Sequence, residues 1–340
     1  MNNLQINISS DSENDLDYKN YENEILLQSD NRLTIFPIKY PEIWKMYKKQ
    51  LAAHWVVEEV DLSKDKEDWG KLNNNEQTFI KNILAFFAAS DTIVNINLLE
   101  RFMKEIEIQE IRFVYGQQYA MENIHSEAYS LMIETYVDDV IEKDKLYNAV
   151  KRIPSIKKKK DWAFKWINST ASFSQRLYAF SIVEGVFFSG AFASIFWLKD
   201  RNLMPGLCKF NKFIARDERM HVDFAIYLYK MSNNKLDEKT VHNMMLDAID
   251  VEKDFIIESI PCSLLGMNNT EMVKYIKYVA DQLLIELGYN QLFNINVNPF
   301  DFMEKISIQT KENMFEGRVD EYQMSHISDN NKSFDLNENF

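Results

Sequence analysis

Glu122-Asn123-Ile124-His125-Ser126-Glu127-Ala128-Tyr129 is the stretch on which the reading of this chain turns. No Gly or Pro falls between Gly116 and Pro154, so the spacing predicts one long helix. Residues three, four and seven apart share a helical face. Glu122, His125 and Tyr129 therefore point the same way, amid Ile124, Leu131, Met132 and Ile133. A carboxylate, an imidazole and a phenol among apolar neighbours cost stability unless something satisfies them. A metal ion would do so, and a second Glu-x-x-His, Glu218 to His221, lies downstream.

The composition sets the frame. With 8 Gly and 6 Pro in 340 residues, tight turns are scarce against the usual ~12% of these residues. Long uninterrupted elements follow, and the expected class is all-α. The 23 Phe supply a large core. A net charge of −13 opposes non-specific binding to nucleic acid, so no nucleic-acid partner is expected. The one basic run, Lys157 to Lys160, lacks interleaved aromatics and reads as a solvated loop or helix start. Cys208 and Cys262 form neither a disulfide framework nor a thiolate metal site, which fits a reducing, cytoplasmic setting. The N-terminal stretch has no basic segment followed by an apolar run. Leu177 to Leu198 carries a single charge, Glu184, and is long enough to span a bilayer. It reads instead as a buried core helix, because no other segment resembles a span and no anchoring pattern flanks it. No membrane is expected.

Taken in order, residues 1–30 read as a disordered acidic arm, 31–315 as the helical body and 316–340 as a flexible tail. Within the body, helices are expected over about 41–55, 74–103, 109–140, 171–199, 207–231, 237–260 and 270–287. Residues 58–68 read as a polar loop, and a short basic connection runs through Trp162 and Trp166.

Four of these helices carry acid in apolar surroundings: Asp91, Glu122 with His125, Glu184, and Glu218 with His221. One carboxylate from each of two helices plus Glu-x-x-His from each of two others is the donor inventory of the ferritin-like di-iron carboxylate bundle. Two divalent ions a few Å apart need about four carboxylates to offset their charge, and an oxygen-rich set with two imidazoles suits iron, or manganese, better than thiolate-seeking metals. A lone Glu-x-x-His is commonly a surface pair, but two of them use two of only five histidines. His54, His242 and His326 lie in no comparable setting. Glu184, inside Ser181-Ile182-Val183-Glu184-Gly185-Val186-Phe187-Phe188, would be prohibitive to bury without a cation.

With these residues in hand, the chain resembles the eukaryotic-type small subunit of class I ribonucleotide reductase. The motifs are Glu58 to Asp65 after Trp55, Phe86 to Asp91, Met121 to Glu127, Val183-Glu184-Gly185 with Phe187 to Gly190, and Arg216-Asp217-Glu218 with His221. The resemblance spans about residues 30–340 and implies a fold, a reaction and roles. Asp91, Glu122, His125, Glu184, Glu218 and His221 would hold two iron ions. Tyr129 would carry a stable tyrosyl radical, made when the ferrous pair meets dioxygen. Phe188, Phe192 and Ile214 would form its apolar pocket. Asp217 would link His125 to Trp55, and Tyr322 in the tail would pass the oxidising equivalent to a large subunit, on which Phe334 to Phe340 would dock. The subunit would form a dimer, homo- or heteromeric.

The residues support part of this directly. Tyr129 is one turn from His125, and a hydrogen bond to Asp91 would be compatible with either a radical or a core role. Asp217 lies about 100° around the helix from Glu218, beside the metal position, where it can accept a ligand imidazole's second N–H. A flexible tail of ~25 residues reaches on the order of 25–30 Å. Against the family pattern, Thr92 and Ile96 stand where a small residue and an acid are common, Gln118 and Ala128 replace bulkier apolar side chains, His54 replaces Phe, and Arg219 replaces Gly. Arg219 would add positive charge near the site. The expected function is reduction of ribonucleotides to deoxyribonucleotides for DNA synthesis. The alternatives are a non-radical structural partner of a second small subunit, or another di-iron protein, storage or oxidase.

Overall fold

Asn73 opens the helix that the site depends on. Its side chain accepts from the backbone N–H groups of Asn75 and Glu76, and Glu76 returns a bond to the Asn73 N–H, a reciprocal capping box. In a computed structural model that describes residues 25–259 and 269–300, every regular element is helical. The long helices are α1 (Pro41–Ala52), α3 (Asn74–Asn97), α5 (Gln109–Tyr136), α8 (Pro154–Ile167), α9 (Phe173–Ile182), α10 (Ser189–Asp200), α11 (Pro205–Met231), α12 (Glu238–Ser259) and α13 (Asn269–Leu287). Shorter helices are α2 (Ser63–Trp69), α4 (Met103–Glu105), α6 (Val140–Tyr147) and α7 (Ala149–Arg152). Two π-helical turns, Leu98–Phe102 and Val183–Phe187, interrupt the ladder after α3 and between α9 and α10.

Helix α3 packs along α5, and α11 packs against α5, α9 and α10. On α5 the buried stripe runs Met121, Glu122, His125, Ala128, Tyr129, Met132, Ile133 and Tyr136, the spacing that one helical face dictates. Helix α12 closes the far side against α8 and α13. The aromatic core includes Phe79, Phe87, Phe102, Phe187, Phe188, Phe210 and Phe224, all fully buried.

The apolar run around Glu184 is helical from Phe173 to Lys199, as expected. A π turn is set into it between α9 and α10, and 83% of its most apolar window lies inside the fold. A second stretch, Asn74–Glu105, is also long and apolar enough to span a bilayer, with 56% of its most apolar window buried, contrary to the expectation that only one segment would qualify.

Other expectations change. Residues 58–68 are not a plain loop: α2 forms there, because Asp65 and Asp68 turn inward. Asp65 accepts from the Gly206 and Leu207 N–H groups at 2.7 Å each and from the Tyr136 hydroxyl, which satisfies free donors at the start of α11. Gly206 is needed there, since a Cβ would lie 2.7 Å from the Asp61 carbonyl. The basic connection is helix α8, and within it Lys159 is buried rather than solvated. The body also begins before residue 31. Leu26 is fully buried, and Asp30 pairs with Arg32 and Lys39. Tyr322, His326, Cys262, the tail and most of the N-terminal arm lie outside the described residues.

Candidate metal centre

Four helical segments deliver the donors: α3 brings Asp91, α5 brings Glu122 and His125, the π turn Val183–Phe187 brings Glu184, and α11 brings Glu218 and His221. All six side chains are buried. They resolve into two overlapping groups, Asp91 with Glu122 and His125, and Glu122 with Glu184, Glu218 and His221, whose donor atoms lie within 4.8 Å of one another. The imidazoles face both central glutamates. His125 Nδ1 is 3.4 Å from Glu122 and 3.1 Å from Glu218. His221 Nδ1 is 3.0 Å from Glu122 and 3.3 Å from Glu218. Glu122 and Glu218 thus lie between the histidines, with Asp91 on the His125 side and Glu184 on the His221 side.

Several of these atoms have no hydrogen-bond partner among the described residues: Asp91 Oδ2, both Glu122 oxygens, Glu184 Oε2 and His125 Nδ1. Orphaned buried polar atoms are rare in folded proteins and are costly. Here they converge, which is the donor chemistry that paired hard cations satisfy. The charges respond as expected for such crowding. Burial, then the charge of Glu122, pushes the Asp91 carboxyl well above its ordinary range. Burial, then Glu218, does the same to Glu184. Glu218 moves the other way: burial raises it, but His221 and His125 outweigh that and hold it well below the usual range. Burial would lower both histidines. The adjacent carboxylates of Asp217, Glu122 and Glu218 instead raise His125, and the charge of Glu218, with Glu122 beside it, raises His221 to about 9.

Around the donors lie the other residues singled out by sequence. Tyr129 is buried, its ring stacked on Phe87 at 4.5 Å with 5° between planes. Its hydroxyl has no hydrogen-bond partner among the described residues, so the bond to Asp91 considered for a core tyrosine is not formed. Burial, then the charge of Asp91, raises the phenol, and it stays neutral. Phe188 and Phe192 pack on Phe87 at 5.8 and 5.0 Å, and Ile214 is fully buried. Phe87 was not predicted as a pocket residue, although it sits one turn before Asp91 on the same face. Asp217 Oδ2 is 3.2 Å from His125 Nε2 and accepts from Trp55 Nε1 at 2.7 Å. Trp55 also stacks over the His125 ring.

Two residues gain roles that sequence did not provide. Gln118, expected only as a replacement for an apolar residue, donates to Glu184 Oε1 at 3.2 Å. Arg216 donates to Asp217 Oδ1 and to the Ala53 carbonyl two residues before Trp55. Arg219 does not add charge to the site. It is half exposed and pairs with Asp223 at 2.7 Å and Glu286 at 3.0 Å. Thr92 is exposed, while Ala128 is buried on the Tyr129 face. His54 is exposed beside Gln117, and His242 bonds the Asn290 carbonyl.

The family model for the ribonucleotide reductase small chain matches residues 32–299. The chain is 55% identical over 305 residues to the ribonucleoside-diphosphate reductase small subunit of Dictyostelium discoideum, covering 89% of this chain and 90% of that one. It is 54% identical over 317 residues to the small chain of Variola virus, covering 93% and 99%. Among solved structures, the ribonucleotide reductase Rnr4 homodimer of Saccharomyces cerevisiae matches with a TM-score of 0.78 and 37% identity, over 88% of this chain and 95% of that one. The ferritin-like bundle, the buried donor cluster and these likenesses agree: this chain belongs to the ribonucleotide reductase small-chain family.

Proposed function

We propose that this chain is the small subunit of a ribonucleoside-diphosphate reductase, and that it generates and stores the radical which a large subunit uses to reduce ribonucleotides. The observation that carries this is one continuous arrangement: buried donors in two groups, a neutral buried Tyr129 beside them, and an Asp217–Trp55 link leaving the far side of His125. Asp91, Glu122 and His125 would hold one cation, and Glu184, Glu218 and His221 the other, with Glu122 and Glu218 shared between them. Iron fits the donor set, and manganese is the alternative. Once loaded, such a pair supplies, with dioxygen, the oxidising power to remove one electron from Tyr129.

The protein's own residues do the rest. Phe87, backed by Phe188 and Phe192, covers the phenol and excludes water and reductants. Asp217 orients His125 through Nε2 and ties it to the Trp55 indole, and Arg216 pins the other oxygen of Asp217. From Trp55 the oxidising equivalent would pass to Tyr322 and the partner, and Phe334 to Phe340 would dock there. The large-subunit partner follows from family membership, and the homodimeric yeast relative supports a dimer. A cytoplasmic setting is the reading that the sparse cysteines support. All six donors and Tyr129 are present, which argues against a non-radical structural partner.

The test is to add ferrous iron and oxygen to the purified protein and record electron paramagnetic resonance. A tyrosyl signal in the wild type that is absent in Tyr129→Phe is expected. Iron uptake with no radical in the wild type would overturn the reading.

A further inference from the structure

Lys159 is the one member of its basic run that turns inward. Lys157 and Lys158 are half exposed and pair with Asp161 and Asp254 at the surface. Lys159 is 2% exposed, and its ammonium lies 2.5 Å from Glu252, which is fully buried. It also stands 3.9 and 3.7 Å from the ring centres of Phe86 and Phe255. Burying such a pair is no aid to stability in itself, because apolar side chains of the same volume do as well or better. The remaining contact is more informative: Lys159 Nζ donates to the Phe187 carbonyl at 2.7 Å.

Phe187 is the last residue of the π turn that carries Glu184. A π turn accommodates one residue more than an α turn, so its bonding register differs from the helices on either side. The α register resumes past Phe188, whose backbone stays in the right-handed helical region and whose carbonyl accepts from the Phe192 N–H at 3.0 Å. Were the turn to relax to a regular helix, the residues on one side of it would rotate by about 100° relative to the other. Glu184 would then turn away from the donor cluster. The junction is also pressed onto α12 at this point. A Cβ on Gly190 would lie 2.7 Å from Ile256 Cδ1 and 3.1 Å from Glu252 Oε1. From the opposite side, Gln118 holds the Glu184 carboxylate.

We propose that Lys159 is a positioning residue for Glu184: by holding the Phe187 carbonyl it fixes the π turn, and through that turn sets where Glu184 meets the His221-side metal. Glu252 keeps the ammonium charged and in place. The inference rests on the reading of Glu184 as a metal-holding side chain.

Mn(II) titration by calorimetry and hydrogen exchange of residues 183–192 test it, on wild type, Glu184→Ala and the neutral double variant Lys159→Met with Glu252→Gln. The double variant removes both charges and the bond to Phe187 while preserving volume. It should stay folded, exchange faster over 183–188, and bind the His221-side ion at least about tenfold more weakly, with the other ion unaffected. Two ions bound with wild-type affinity and unchanged exchange would overturn the proposal. Loss of one ion in Glu184→Ala but not in the double variant would refute the role of Lys159 alone. Retention of both ions in Glu184→Ala would refute the reading of Glu184 beneath it. Should the double variant not fold, the metal-free wild type decides. Amides 184–188 as protected as those of α9 support the hold by Lys159, and protection that appears only with Mn(II) contradicts it.

Discussion

The indole nitrogen of Trp55 donates to Asp217 Oδ2 at 2.7 Å, and that same oxygen lies 3.2 Å from His125 Nε2. One carboxylate oxygen of α11 therefore joins His125 on α5 to Trp55 in the connection that follows α1. Arg216 donates to the other oxygen, so an amide nitrogen at position 217 finds donors on both sides. Asp217→Asn should weaken metal binding about 10–100-fold and abolish ribonucleotide reduction with the large subunit. Metal titration alongside a turnover assay checks both, and a variant with wild-type values in each would show that Asp217 does not couple His125 to Trp55.

Glu184 belongs to the group around His221, while Asp91 belongs to the group around His125. Glu184→Ala should leave one metal ion per chain, and Asp91→Ala should also leave one, at the other position. Elemental analysis gives the stoichiometry, and two ions in either variant would contradict the division.

How much of this could be read from the sequence depends on the range of the interaction. Glu122 with His125, and Glu218 with His221, are set by local helical spacing, so they were legible as pairs. Asp91 and Glu184 were legible because acid inside an apolar run needs a counter-charge. The π turn under Glu184 was not, because its register is held by Lys159 from another helix. Lys159 itself looked like its solvated neighbours. Helix α2 was hidden because Asp65 is buried against Gly206 and Leu207, far along the chain. The direction of Arg219 was decided by Glu286, 67 residues away. Phe87 could have been found by spacing from Asp91.

The metal-free protein should respond to pH in a definite direction. His125 and His221 are raised in the fold, His221 to about 9. The stabilising contribution of His221 is fully present below the unfolded value of about 6.5 and is lost as pH rises through about 9, and His125 acts in the same direction. Asp91 and Glu184 are also raised, so their ionisation on going upward in pH costs the fold as well. Glu218 is lowered and acts oppositely, with its contribution lost only in acid. Between about pH 6.5 and 9 the metal-free form should lose stability while Mn(II) affinity rises, because bound metal displaces those protons. Thermal unfolding and titration across this window check it; affinity independent of pH would contradict it.

Asp65 joins α2 to the start of α11, the helix that carries Glu218 and His221. Asp65→Ala leaves two buried backbone N–H groups and the Tyr136 hydroxyl without their acceptor. A loss of about 2–3 kcal/mol in denaturant unfolding is expected. A change within about 0.5 kcal/mol would show that the α11 start is satisfied elsewhere.

Removing residues 334–340 should abolish turnover with the large subunit and leave the tyrosyl signal intact. Unchanged turnover would refute the docking role of Phe334 to Phe340, and loss of the signal would move that segment into the centre itself.

Asp91, Glu122 and His125 would hold one cation, and Glu184, Glu218 and His221 the other. Anomalous diffraction from crystals soaked in Mn(II) measures this directly. Two peaks per chain are predicted, one bounded by Asp91 and His125 and the other by Glu184 and His221. A single peak, or peaks away from the two imidazoles, would contradict it.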